Sequence, residues 1–76
     1  MSKLTPQALR AARAILNWSM RDLAGETGLS FSTIAKIESG SSPREKTEKV
    51  ILDAFARHNV EITNGEGTGA RLLFEK

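Results

Sequence analysis

The sequence predicts a mainly α fold, four helices followed by a C-terminal β-hairpin. Three observations carry that expectation. From Leu4 to His58 apolar residues recur at i, i+3 and i+4, the spacing that gathers them on one face of a helix. Residues that start and stop helices, Thr5, Ser19, Gly28, Ser30 and Gly40, divide this stretch so that the second and third helices are short and joined by a tight turn. From Val60 the period drops to 2, as Val60 and Ile62 alternate with Glu61 and Thr63.

A chain of 76 residues makes one domain, near the size at which a single core only just offsets chain entropy. Residues 1–59 are expected to form the helical unit and residues 60–76 a hairpin extension of the same domain. There is no cysteine, which removes disulfides and thiolate metal sites from consideration. No apolar run approaches the roughly 18 to 20 residues that span a bilayer, and MSKLTPQ lacks the apolar centre of a signal peptide. The expected location is the cytoplasm, with no membrane partner.

The first helix is expected over Leu4 to Asn17. Thr5 suits its N-cap, and Pro6 suits the first helical position, where a missing N–H costs nothing. Leu9, Ala12 and Leu16 form its inner face, with Arg10 and Arg13 between them. Trp18 is read as a core or half-buried packing residue in the gap before the next helix. Ser19 begins the second helix and, with Asp22, makes a short capping box. Leu23 and Ala24 face inward; Gly28 stops the helix because glycine accepts the left-handed backbone needed there. Gly25, inside this helix, costs roughly 1 kcal/mol against alanine and suggests a close contact.

Ser30 caps the third helix, FSTIAKIES, which Gly40 ends. Leu29, Ile34 and Ile37 point inward, leaving Phe31, Ser32, Ala35, Lys36 and Ser39 on the other side. That outer face has short side chains and one cation, where a merely solvated helix more often carries Glu, Lys and Gln. After a loop at Ser41, Ser42 and Pro43, a fourth helix is expected from Arg44 to Asn59. Its stripe is Thr47, Val50, Ile51, Ala54, Phe55 and His58, with His58 at its terminus, where a partial positive charge suits the dipole.

The glycine-rich NGEGTG separates the two hairpin strands. A hairpin alone is marginal in water, so this one either docks on the helices or pairs with a second copy. Leu72, Leu73 and Phe74 are more apolar surface than one face of a small hairpin hides.

Other chemistries fit poorly. Gly65, Gly67 and Gly69 spell GxGxG, but a phosphate-binding loop must follow a buried strand and open a helix, and this one leads into another strand. His58 is the only histidine, without a second ligand for a metal or a matched nucleophile. No catalysis, metal or cofactor is expected. The charge is uneven: nine basic against six acidic residues up to His58, two against three from Asn59 onward. A positive excess on the helical part is compatible with a nucleic-acid partner and also with simple solubility.

From Leu16 onward the chain resembles the phage-repressor-like, xenobiotic-response-element type of helix-turn-helix. The match runs through Ser19, Leu23, Ala24, Gly28, Leu29, Ser30, Ile34, Ile37, Glu38 and Gly40. One departure is Met20, where the family usually carries Gln. The resemblance implies a third helix in the major groove of double-stranded DNA, with Phe31, Ser32, Ala35 and Lys36 toward base edges. Lys36 suits guanine O6 and N7, Ser32 is an undiscriminating partner, and Phe31 and Ala35 suit a thymine methyl. Ser19, Thr33, Ser39, Arg44 and Lys46 are expected near phosphates. The family also implies an ion pair between Arg13 and Glu38, partly buried and positioning the third helix.

The expected function is therefore a sequence-specific transcriptional regulator, a repressor, acting as a homodimer through the hairpin. Two alternatives stay open: the antitoxin of a toxin–antitoxin pair, with a toxin bound to the hairpin or fourth helix, and a protein-binding adaptor that does not touch DNA.

Overall fold

The computed structural model describes residues 4–63 and 69–72. Its elements, in order, are α1 (Pro6–Leu16), α2 (Met20–Thr27), α3 (Phe31–Glu38), α4 (Glu45–Ala56), β1 (Val60–Thr63) and β2 (Gly69–Leu72). Gly65, Gly67, Leu73 and Phe74 lie outside the described residues.

Local chemistry sets most of the boundaries. Thr5 Oγ1 accepts from the Ala8 N–H at 3.1 Å, and Pro6 opens α1. Asn17 ends it in the left-handed region at φ 58°, a conformation that Asn tolerates better than most residues. At α2 the capping box is complete: Ser19 Oγ accepts from the Asp22 N–H, and Asp22 Oδ2 accepts from the Ser19 N–H. Gly28 stops α2 at φ 77°, its N–H donating to Ala24 at 2.8 Å. Thr27 ties the turn together, donating to the Leu23 carbonyl and accepting from the Leu29 N–H.

Three sequence expectations need correction. Gly25 has nothing within 4 Å of the position a Cβ would take, so no close contact explains it. The third helix ends at Glu38, with Ser39 as its cap and Gly40 beyond it at φ 117°. The fourth helix spans Glu45–Ala56 rather than Arg44 to Asn59: Arg44 is its N-cap, and residues 57–59 form a turn that Asn59 closes at φ 65°. Periodicity alone ran on through His58, but the chain has to reverse there to bring β1 back over the core.

The buried cluster joins all four helices and β1: Leu9 and Ala12 from α1, Leu23 from α2, Ile34 and Ile37 from α3, Ile51 and Phe55 from α4, Val60 and Ile62 from β1. Burial of these side chains is the main favourable term holding the elements together. The strands are antiparallel, pairing Val60 with Leu72 and Ile62 with Ala70. The hairpin lies on α1, and β1 also meets α4. The hairpin therefore docks on the chain's own helices. Trp18 is half-buried; it reaches past the α1–α2 gap to stack on Phe55, ring centroids 5.7 Å apart. His58 meets the edge of that indole and stands 3.5 Å from Glu26.

Candidate nucleic-acid interface

Helix α3 is two-sided because its eight residues are patterned that way. Ile34 and Ile37 are buried, Phe31, Ser32, Lys36 and Ser39 are exposed, and Thr33 and Ala35 are intermediate. Ser30 caps the helix through its Oγ, which accepts from the Thr33 N–H at 3.1 Å. Beyond Phe31 at its start, the exposed face carries short side chains and one cation, Lys36, so the helix axis can approach a surface closely.

The tilt of α3 is fixed from behind. Arg13 on α1 grips Glu38 in a bidentate pair, Nε to Oε2 at 2.7 Å and a terminal nitrogen to Oε1 at 3.0 Å. Its other terminal nitrogen donates to the Trp18 carbonyl at 3.0 Å, and Arg10 adds a longer contact to the Glu38 carbonyl at 3.4 Å. Side-chain exposures of 18% for Arg13 and 10% for Glu38 place the pair mostly out of water, where charge-assisted forked hydrogen bonds are directional and strong. One arginine thereby ties α1, the α1–α2 link and the end of α3.

The residues expected at phosphates are in different states. Arg44 is exposed, and its side chain makes no capping bond at α4; Lys46 is exposed in the first turn of α4, its second residue. Thr33, Lys36, Ser41, Ser42, Arg44 and Thr47 line a cleft of about 510 Å³ between α3 and the start of α4, which contains two cations, several hydroxyls and no carboxylate. Lys46 does not line it. Ser19 Oγ is engaged by the Asp22 N–H, and the Asp22 carboxylate stands at the same helix start. Thr33 Oγ1 is 3.0 Å from Ser30 Oγ. Ser39 donates its hydroxyl proton to the Ala35 carbonyl at 3.0 Å, so a phosphate would have to displace that bond. Met20, at the position of the family's Gln, is half-buried against the core.

Sequence reasoning passed over Arg21, whose guanidinium lies over the Phe31 ring, 5.0 Å from its centroid. The pairing spans the turn between α2 and α3, so no local spacing signals it. Ser41, Ser42 and Thr47 were likewise read as loop and stripe residues before the cleft gathered them. Among the described residues no group of three or more His, Cys, Asp or Glu could hold a metal ion, and no helix is long and apolar enough to cross a membrane.

Comparison with known proteins adds one finding. A family model described as helix-turn-helix matches residues 9–58, from within α1 through α4 and into the turn after it. No curated protein and no solved structure matches significantly. Matched over 50 of its 76 residues, and with the two-sided α3 behind its glycine turn, the chain belongs to the phage-repressor-like, xenobiotic-response-element type of helix-turn-helix, a family of DNA-binding transcription regulators.

Proposed function

We propose that this chain is a sequence-specific repressor that lays α3 in the major groove of double-stranded DNA and works as a homodimer on a two-fold-related site. The observation that carries the reading is the outer face of α3: small and polar after Phe31, with Lys36 exposed on it and its tilt held by the Arg13–Glu38 pair. Ser32, Ala35, Lys36 and Phe31 read base edges. Lys36 takes guanine O6 and N7, and Ala35 and Phe31 meet thymine methyl groups. Arg44 and Lys46 hold phosphates beside the cleft, with Thr33 joining them from α3; Ser19 and Ser39 are secondary, since their hydroxyls already serve the helix ends. Occupying a site blocks other proteins by excluded volume and needs no further contact, which favours repression. The place of action is the cytoplasm, on the nucleoid.

Base readers and phosphate holders separate experimentally. Lys36→Ala is expected to cost about 1 to 3 kcal/mol and to relax preference at one base pair, whereas Arg44→Ala weakens binding to all sequences alike and lowers the salt slope by about 1. Gel shifts on selected and random DNA at two salt concentrations measure both, because DNA binding must weaken as salt rises. Equal losses for the two variants on every sequence would remove the assigned roles. Binding that ignores salt, or none at all, would favour a protein-binding adaptor.

A further inference from the structure

The reading helix opens on an exposed aromatic ring. Phe31 is the first residue of α3 and 40% exposed; among the described residues only Ile15 and Leu72 are other large apolar side chains left so open. Arg21, on α2, places its guanidinium carbon over this ring, 5.0 Å from the centroid, a cation–π contact. Its hydrogen-bonding edge has no partner among the described residues, while Arg10, Arg13 and Arg57 each donate to a carbonyl or carboxylate. A cation–π contact draws on the charge and leaves N–H donors of the five-donor guanidinium available. Two exposed side chains from different helices are thereby held as one body, with an apolar rim and a cationic fork.

We propose that Arg21 and Phe31 act as a single reading unit, in which the ring meets the C5-methyl group of a thymine and the Arg21 fork holds the adjacent phosphate. This rests on α3 lying in the major groove. A phenyl ring has no polar atom with which to answer a base edge, and the apolar group that the major groove displays is the pyrimidine C5-methyl. In helix-turn-helix docking the helix before the reading helix crosses the sugar–phosphate backbone, which places the Arg21 donors beside phosphates. Arg21 is a positioning residue for Phe31 as well as an anion holder: the cation over the ring favours the Phe31 orientation that faces one base.

The test uses the full chain and a site selected from random DNA, with each thymine replaced in turn by deoxyuridine, which removes only the methyl group. The wild type should lose about fourfold in affinity at one thymine per half-site, the value of one buried methyl. Phe31→Ala should bind the thymine and uracil versions equally. Arg21→Ala should weaken binding to selected and random DNA by the same factor, lower the salt slope by about 1, and shrink the thymine preference. Arg21→Lys should restore the salt slope and only part of that preference. Thermal melting of each variant controls for folding. Uracil tolerated at every thymine by a wild type that binds its site would overturn the reading unit, and with it the thymine contacts of Phe31 and Ala35, and leave sequence-specific DNA binding through α3 standing; a wild type that binds no DNA would remove both. A loss in Arg21→Ala confined to one base pair would overturn the phosphate role, and unchanged affinity would reduce Arg21 to a cover for the ring.

Discussion

Arg13 reaches three parts of the chain from one side chain, and its partners make it more than a surface ion pair. Its guanidinium meets both oxygens of Glu38 and the carbonyl of Trp18, and the paired groups are mostly shielded from water. Removing one member leaves the other charge partly buried and unanswered. Arg13→Ala or Glu38→Ala should therefore lower stability by about 3 kcal/mol, a large share of the roughly 4 to 11 kcal/mol that a chain of this size has in total. Glu38→Gln, which keeps one acceptor and one size, should cost clearly less. Urea denaturation of the three variants measures this; a loss near the 0 to 1 kcal/mol typical of exposed pairs would mean that the pair does not hold α3. The family resemblance made the Arg13–Glu38 pair legible in the sequence. The bond to the Trp18 carbonyl and the Arg21–Phe31 contact were not, because each depends on where the chain turns rather than on residue spacing.

Helices α2 and α3 owe their shortness to residues that act within a few positions, which is why sequence located them well. Two glycines, one inside α2 and one capping it, illustrate how local the rules are. Gly28 sits at φ 77°, where an added Cβ is strained even though space is open, so Gly28→Ala should destabilise by about 1 to 2 kcal/mol. Gly25 is exposed in the helix interior with nothing near its missing Cβ, so Gly25→Ala should stabilise by about 1 kcal/mol. Thermal melts of the pair should move in opposite directions; a fall in both would mean that Gly25 has a backbone role that its open surroundings do not reveal. Capping by Thr5, Ser19 and Ser30 was readable for the same reason, since each side chain bonds an N–H three residues on. The end of α4 was not readable. His58 continues the apolar period, yet the turn through Asn59 at φ 65° is set by β1 docking on α1 and α4, a long-range demand that overrides the local pattern.

Across the whole molecule, the inner face of the hairpin completes the core but leaves Leu72 open to solvent. Val60, Ile62 and Ala70 turn toward the helices, and Leu72, directly opposite Val60, shares their side of the sheet. Even so, Leu72 is 48% exposed, as is 37% of Ile15 on α1, the helix on which β2 lies. Among the described residues the sheet has only two strands, so each has a side with no third strand, and such an edge beside apolar side chains is a ready seat for another strand. We infer that a second copy occupies it, joining two reading helices to span half-sites about one helical turn, roughly 34 Å, apart. Leu72→Asp should then shift the chain from dimer to monomer in sedimentation equilibrium, leave its melting temperature nearly unchanged at high dilution, and make DNA binding weaker and more steeply dependent on protein concentration. A single variant at Lys36 should do the opposite, weakening binding without changing the sedimenting mass. If the wild type sediments as a monomer yet binds its selected site tightly, the hairpin is not the dimer seam, and the exposed Leu72 belongs to a different protein partner such as a toxin.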